Sequence, residues 1–178
     1  MALKSTVYKA TVNLADMDRG VYLDQSLTLA QHPSETDERM MLRILAWSLN
    51  AVEGLEFTKG LCVDDEPEIW KKNYSDEIEL WIELGNPDEK WLRKASSRAQ
   101  QVILYTYGDN AAPIWWQQNK SKLSRFENLQ VWNISDAVIE QLAQMTERTM
   151  QIQVTIQDGT AWFNCGDLTA EVRPERWN

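Results

Sequence analysis

The chain has 178 residues, 43% of them hydrophobic and 25% charged, near the globular average and against a disordered chain. Its net charge is -9 and its isoelectric point is about 4.7, which excludes a generally basic nucleic-acid binder. Contact with phosphate needs Lys and Arg, so any such role requires a local basic patch.

Ser5 to Leu14 alternates Thr6, Tyr8, Ala10, Val12 and Leu14 against Val7, Lys9, Thr11 and Asn13, the pattern of a strand rich in β-formers. Asp16 to Gly20 reads as a turn without calcium-loop spacing. Val21 to Gln31 resumes the strand pattern, which predicts an N-terminal hairpin. His32-Pro33-Ser34-Glu35-Thr36-Asp37 starts a helix, with Ser34 as the cap. The helix is expected to reach about Ala51 and to bury a stripe of Met41, Leu42, Leu45, Leu49 and Val52. Glu38 extends that stripe, either as a partly buried site residue or as a first-turn acid at its rim. His32 is the single histidine and reads as structural or exposed rather than catalytic.

Leu55 to Val63 reads as a strand with Gly60 inside it, left through an acidic turn at Asp64 to Glu68. Glu68-Ile69-Trp70 opens a short strand. The clearest alternation follows at Glu77 to Leu84: Ile78, Leu80, Ile82 and Leu84 share one face, and Glu77, Glu79, Trp81 and Glu83 share the other. Gly85-Asn86-Pro87 breaks the strand, and Pro87 suits the first turn of a helix from Asp88 to about Gln100. Carboxylates four residues apart on one strand face, with Lys90 and Lys94 just beyond, can hold a divalent cation. They can equally form a solvated sheet face. Val102 to Tyr107 is continuously apolar, as in a strand covered on both sides.

Gly108-Asp109-Asn110 turns the chain into a helix at Ala112 to Leu123, which carries Trp115, Trp116, Gln117, Lys120 and Lys122. A strand at Leu129 to Trp132 follows. Ser135 or Asp136 then caps a helix to about Met145. Met150 to Ile156, an Asp158-Gly159 hairpin turn, Ala161 to Asn164 and Leu168 to Val172 close the chain as strands. The order strand-helix-strand-helix-strand in the middle implies a partly parallel sheet with crossover helices. The expectation is a mixed α/β fold in one domain over residues 1–178.

Cys62 and Cys165 lack paired-ligand spacing and read as reduced thiols, not as a disulfide framework or a zinc site. MALKSTVYKATVNL lacks the apolar core of a signal peptide, and no run approaches the length of a membrane span. These features predict a soluble, cytoplasmic protein with no membrane partner. The nine tryptophans read first as an aromatic-rich core. There is no glycine-rich dinucleotide or phosphate loop, no G-x-S-x-G and no H-E-x-x-H. What remains is oxygen-ligand metal chemistry from carboxylates, with lysine as electrostatic help.

SLTLAQHPSETDERMMLRILAW, FTKGLCVDDEPEIW, IELWIELGNPDEK and TMQIQVTIQDGTAWF together resemble the bacterial YaeQ family over essentially the whole chain. The resemblance implies a variant of the restriction-endonuclease-like fold of the PD-(D/E)xK nuclease superfamily. It implies a fold and not a reaction. On that pattern the core-helix acid falls on Glu38. The second acid falls on Glu68, with Asp65 as the alternative, and the acid of the (D/E)xK triplet falls on Glu83. The triplet's lysine position is Gly85, a departure from the pattern, so Lys90 or Lys94 has to reach back.

Two readings follow. In one, the protein is a metal-dependent nuclease. Glu38, Glu68 and Glu83, with Asp65 as a further metal ligand, hold Mg²⁺ or Mn²⁺; Lys90 offsets phosphate charge and Gln117 is a candidate substrate contact. In the other, the nuclease-like fold is kept as a non-catalytic binding or regulatory module. An aromatic surface around Trp70, Trp81 and Trp115 then meets a protein partner.

Overall fold

The computed structural model describes residues 4–59 and 65–178. In chain order its elements are β1 (Thr6–Asp16), β2 (Val21–Gln31), α1 (Asp37–Leu49), β3 (Leu55–Phe57), β4 (Ile69–Lys72), β5 (Ile78–Leu84), α2 (Glu89–Arg98) and β6 (Ala99–Tyr107). They continue with α3 (Ala111–Leu123), β7 (Leu129–Ile134), α4 (Asp136–Ala143), β8 (Thr149–Gln157), β9 (Thr160–Cys165), β10 (Leu168–Val172) and β11 (Glu175–Arg176). The expected mixed α/β class holds, with two mixed sheets. The expected strand continuation to Val63, including Gly60 and Cys62, and Asp64 of the acidic turn lie outside the described residues.

The backbone forms two compact units, Met1–Val52 with Ala137–Arg173, and Glu53–Asp136 with Pro174–Asn178. The first unit holds a sheet of order β10-β9-β8-β1-β2. β1 and β2 form the expected hairpin, in register from Thr6 opposite Gln31 to Asp16 opposite Val21. Its turn is fixed by an acid that the sequence showed only as part of an acidic cluster. Asp16 is 2% exposed and accepts from the Arg19 amide at 3.0 Å and the Arg19 guanidinium at 2.6 Å. At the other hairpin, Asp158 and Gly159 have φ of 54° and 75°, as a two-residue turn matched to strand twist requires.

The start of α1 corrects the sequence reading. Thr36, not Ser34, caps the helix, accepting from the Arg39 amide at 3.1 Å. Ser34 instead donates its amide to the His32 ring at 3.1 Å. A preceding turn, closed by the Glu35 amide on the His32 carbonyl at 2.8 Å, uses up the residues that looked like the first helical turn. Every residue from Met40 to Ser48 is buried, so α1 is enclosed well beyond the stripe its periodicity showed.

The second unit holds a sheet of order β11-β7-β6-β5-β4-β3. β3, β4 and β5 are antiparallel, and β5, β6 and β7 are parallel, joined by α2 and α3 as crossovers. This is the expected central arrangement. The cap of α2 is Asp88, accepting from the Trp91 amide at 3.0 Å; Pro87 therefore precedes the cap and is not in the first turn. Trp81, Val102, Leu104, Leu129 and Val131 form one sheet face, covered by Leu92 and Ala95 of α2 and Leu123 of α3. The Trp81 side of β5 is thus buried rather than solvated. β11, which the sequence reading lacked, pairs antiparallel with β7.

Candidate active site

Glu83 is the last residue but one of β5 and lies on the same strand face as Trp81, beneath α2. It is 7% exposed. Its Oε2 accepts from the Trp81 indole at 3.1 Å and from the Trp91 indole. The two rings meet edge to face with centroids 5.8 Å apart. Trp91 is delivered by the first turn of α2, whose rotation is set by the Asp88 cap. Two indole donors therefore hold one carboxylate oxygen in a fixed direction, as charge-assisted hydrogen bonds do.

Glu68 directly precedes β4 and is also 7% exposed. Its amide donates to the Ile82 carbonyl at 3.2 Å, and its carbonyl accepts from the Thr58 amide at 3.1 Å. With Ile69 opposite Ile82, Glu68 stands across from the Ile82–Glu83 step. Two buried acids thus fall at neighbouring backbone positions of paired strands, where burial of charge requires compensation.

Two cations of α2 lie against the indoles that bond Glu83. Lys94 bonds the Asp65 carboxylate and lies 5.4 Å from the Trp91 ring. Arg98 donates to the Asp65 carbonyl at 2.7 Å and lies 5.3 Å from the Trp81 ring. The Lys94 hydrogen bond and charge hold the Asp65 carboxyl below its ordinary range. Asp65, expected as a metal ligand, is therefore engaged in an ion pair. Gly85 has φ of +104°, a backbone conformation that a lysine rarely adopts. That is a local reason for glycine at the triplet's lysine position.

Three further expected site residues are exposed. Lys90 is exposed on α2, and Gln117 is exposed on α3. Glu38 is exposed in the first turn of α1, which belongs to the other compact unit. Of the proposed aromatic surface, Trp81 is 0% exposed and is no part of it. Trp70 and Trp115 are half-buried.

Among the described residues no group of three His, Cys, Asp or Glu side chains is placed to hold a metal ion. Glu68 and Glu83 are a pair of hard oxygen donors, which suits a cation such as Mg²⁺ that takes one or two carboxylates and keeps several waters. Sequence reasoning missed two participants. Trp81 carried a signal, since it shares a strand face with Glu83. Trp91 carried one as well, since it shares with Leu92 and Ala95 the apolar stripe of α2.

Comparison with known proteins places these residues in context. The family model described as YaeQ protein matches residues 1–174. The chain is 55% identical to the uncharacterized protein YaeQ of Escherichia coli strain K12 over 177 residues, covering 99% of this chain and 98% of that one. The Salmonella typhi counterpart is 52% identical with the same coverage. The crystal structure of YaeQ protein from Xanthomonas axonopodis pv. citri superposes with a TM-score of 0.94 at 41% identity, covering 97% of both chains. That from Pseudomonas syringae superposes with a TM-score of 0.93 at 35% identity, covering 98% of this chain and 96% of that one.

Proposed function

The chain belongs to the YaeQ family, and from its paired buried acids we propose that it is a metal-dependent phosphodiesterase acting on nucleic acid. The observation that carries this reading is the burial of Glu68 and Glu83, at 7% exposure each, at neighbouring backbone positions of paired strands. The chain order helix, antiparallel strands, crossover helix and parallel strand, from α1 through β3, β4, β5 and α2 to β6, supports a restriction-endonuclease-like core.

In this reading Glu68 and Glu83 hold Mg²⁺ or Mn²⁺. When bound, the ion supplies acidity to an attacking water and charge neutralisation at the leaving oxygen. Trp81 and Trp91 fix the direction of the Glu83 carboxylate. Lys94, tied to this neighbourhood through Asp65 and Trp91, takes the electrostatic role of the missing triplet lysine in preference to Lys90.

The test is incubation of the full chain with single-stranded, duplex and branched DNA and with RNA, in Mg²⁺ or Mn²⁺ and then in EDTA. Cleavage that needs the metal and falls at least about 100-fold in Glu83→Gln and Glu68→Gln is expected, as for loss of a group that positions catalytic charge. Wild-type protein that cuts none of these substrates sinks the reading in favour of a binding module. Cleavage at wild-type rate in Glu83→Gln sinks the site.

A further inference from the structure

We propose that the layer formed by α2 and α3 is a single-stranded nucleic-acid track, with cations for the backbone and a row of indoles for the bases. The proposal takes its ligand chemistry from the phosphodiesterase reading and names the substrate class and the surface that receives it.

The first observation is the segregation of charge. Residues 88–127, which hold both helices and their flanks, contain seven of the 18 Lys and Arg and, in Asp88, Glu89, Asp109 and Glu127, four of the 27 Asp and Glu. That stretch carries +3 within a chain of -9, so the remaining residues carry -12. All seven cations fall on two helices or directly after them. α2 contributes Lys90, Arg93, Lys94 and Arg98, α3 contributes Lys120 and Lys122, and Arg125 follows α3. α2 and α3 pack side by side on the same sheet face. All of these cations except Lys94 are exposed. Lys94 and Arg125 are in ion pairs with Asp65 and Glu89. Among the described residues no ion pair engages Lys90, Arg93, Lys120 or Lys122. An acidic chain that gathers exposed cations on one helical layer has there the local basic patch that phosphate contact requires.

The second observation is independent of charge. Trp115, Trp116 and Trp177 are all half-buried. Trp115 and Trp116 have centroids 6.3 Å apart, Trp116 and Trp177 are 5.8 Å apart, and both pairs are tilted by 31°. Three partly buried indoles are thus in consecutive contact, packed against the core that α2 and α3 cover. Lys120 stands one helical turn beyond Trp116, on the same side of α3. The Trp115 indole donates to the Pro87 carbonyl at 2.7 Å. Pro87 lies in the loop that leaves β5 just after Glu83. Interleaved cations and partly exposed aromatic rings are what single strands need: a backbone counter-charge and faces on which unpaired bases stack. A duplex hides its base faces and would use only the cations.

The experiment measures binding of fluorescently labelled oligothymidylate and a matched duplex to the full chain in EDTA over a range of salt. Single-stranded binding at low salt is expected, tighter than duplex binding, with tryptophan fluorescence quenched on saturation. Lys120→Ala/Lys122→Ala removes two exposed contacts. It should weaken binding on the order of tenfold and flatten the log-log salt slope by about 1.4, at about 0.7 per contact for single strands. Lys4→Ala/Lys9→Ala, on exposed lysines outside the layer, should leave both unchanged. No binding at low salt, an unchanged slope in the Lys120/Lys122 variant, or duplex binding as tight as single-stranded binding overturns the proposal. Binding as expected without metal-dependent cleavage overturns the phosphodiesterase reading and leaves the track standing. Cleavage with no effect of the Lys120/Lys122 change does the reverse.

Discussion

Glu83 shows how a single residue carries the functional reading. Its carboxylate is buried against two indoles, so a negative charge sits where water has been replaced by aromatic edge. Glu83→Gln keeps an oxygen to accept the indole protons and removes that charge. In metal-free buffer at neutral pH its melting temperature should equal or exceed that of wild type. A clear fall in melting temperature would show Glu83 to be a structural, paired acid. Asp65 gives a second prediction. Lys94 lowers its folded pKa, so the pair contributes above the unfolded value of about 3.8 and is lost as pH falls through the lower folded value. Carboxyl NMR should place the Asp65 midpoint below 3.8, and Lys94→Ala should return it toward the ordinary range. An unmoved midpoint in that variant would remove Lys94 as the cause.

Helix entry is where single residues decide elements. Thr36 and Asp88 each satisfy an amide in the first turn of α1 and α2, so Thr36→Ala and Asp88→Ala should each cost about 1 kcal/mol in denaturant unfolding. Ser34→Ala should cost less, since Ser34 caps nothing. Equal losses at Ser34 and Thr36 would contradict the observed start of α1. Asp88→Ala should also lower cleavage, because the same cap sets the rotation that brings Trp91 to Glu83. Just before α1, the Glu35 side chain is 3% exposed and pairs with Arg43 at 2.6 Å and Arg39 at 3.6 Å. Removing it by Glu35→Ala takes a buried acid from both pairs and should cost more than about 1 kcal/mol. A loss under about 1 kcal/mol, the usual size for a surface pair, would show that this pair is solvated. The sequence reading had placed Glu35 only among the acids of the helix start.

On the scale of the whole molecule, the chain leaves its first unit at Val52, builds the second, returns at Ala137, and goes back to the second with Pro174–Asn178. That short tail is tied to β7. The Trp177 amide reaches the Val131 carbonyl at 2.9 Å, and the Asn178 side chain bonds the Val131 amide and the Leu129 carbonyl at 2.8 and 2.9 Å. Deleting residues 174–178 removes these bonds and the Trp177 ring. At about 1 kcal/mol per hydrogen bond, the melting temperature should fall by roughly 5–10 °C. An unchanged value would mean that the tail does not stabilise the β7 edge. Because Trp177 ends the indole row, the same deletion should weaken oligothymidylate binding.

Alternation and breakers alone located most of the strands of this protein and its two terminal hairpins. β1 with β2, and β8 through β10, were legible because period-two patterns met turn residues that allow only a tight reversal, as at Asp158-Gly159. The parallel order of β5, β6 and β7 was legible because intervening helices force crossovers. Glu68 and Glu83 were legible as acids, but their neighbouring places were not. These depend on the pairing of Ile69 with Ile82 across the β4–β5 turn, with a register shift at Lys71/Lys72 that alternation does not show. Tertiary structure also buried the Trp81 face, moved the cap of α1 to Thr36 and added β11 from the last residues. Burial on a strand's second face is set by whatever packs against it, and the residues of the strand itself do not record that.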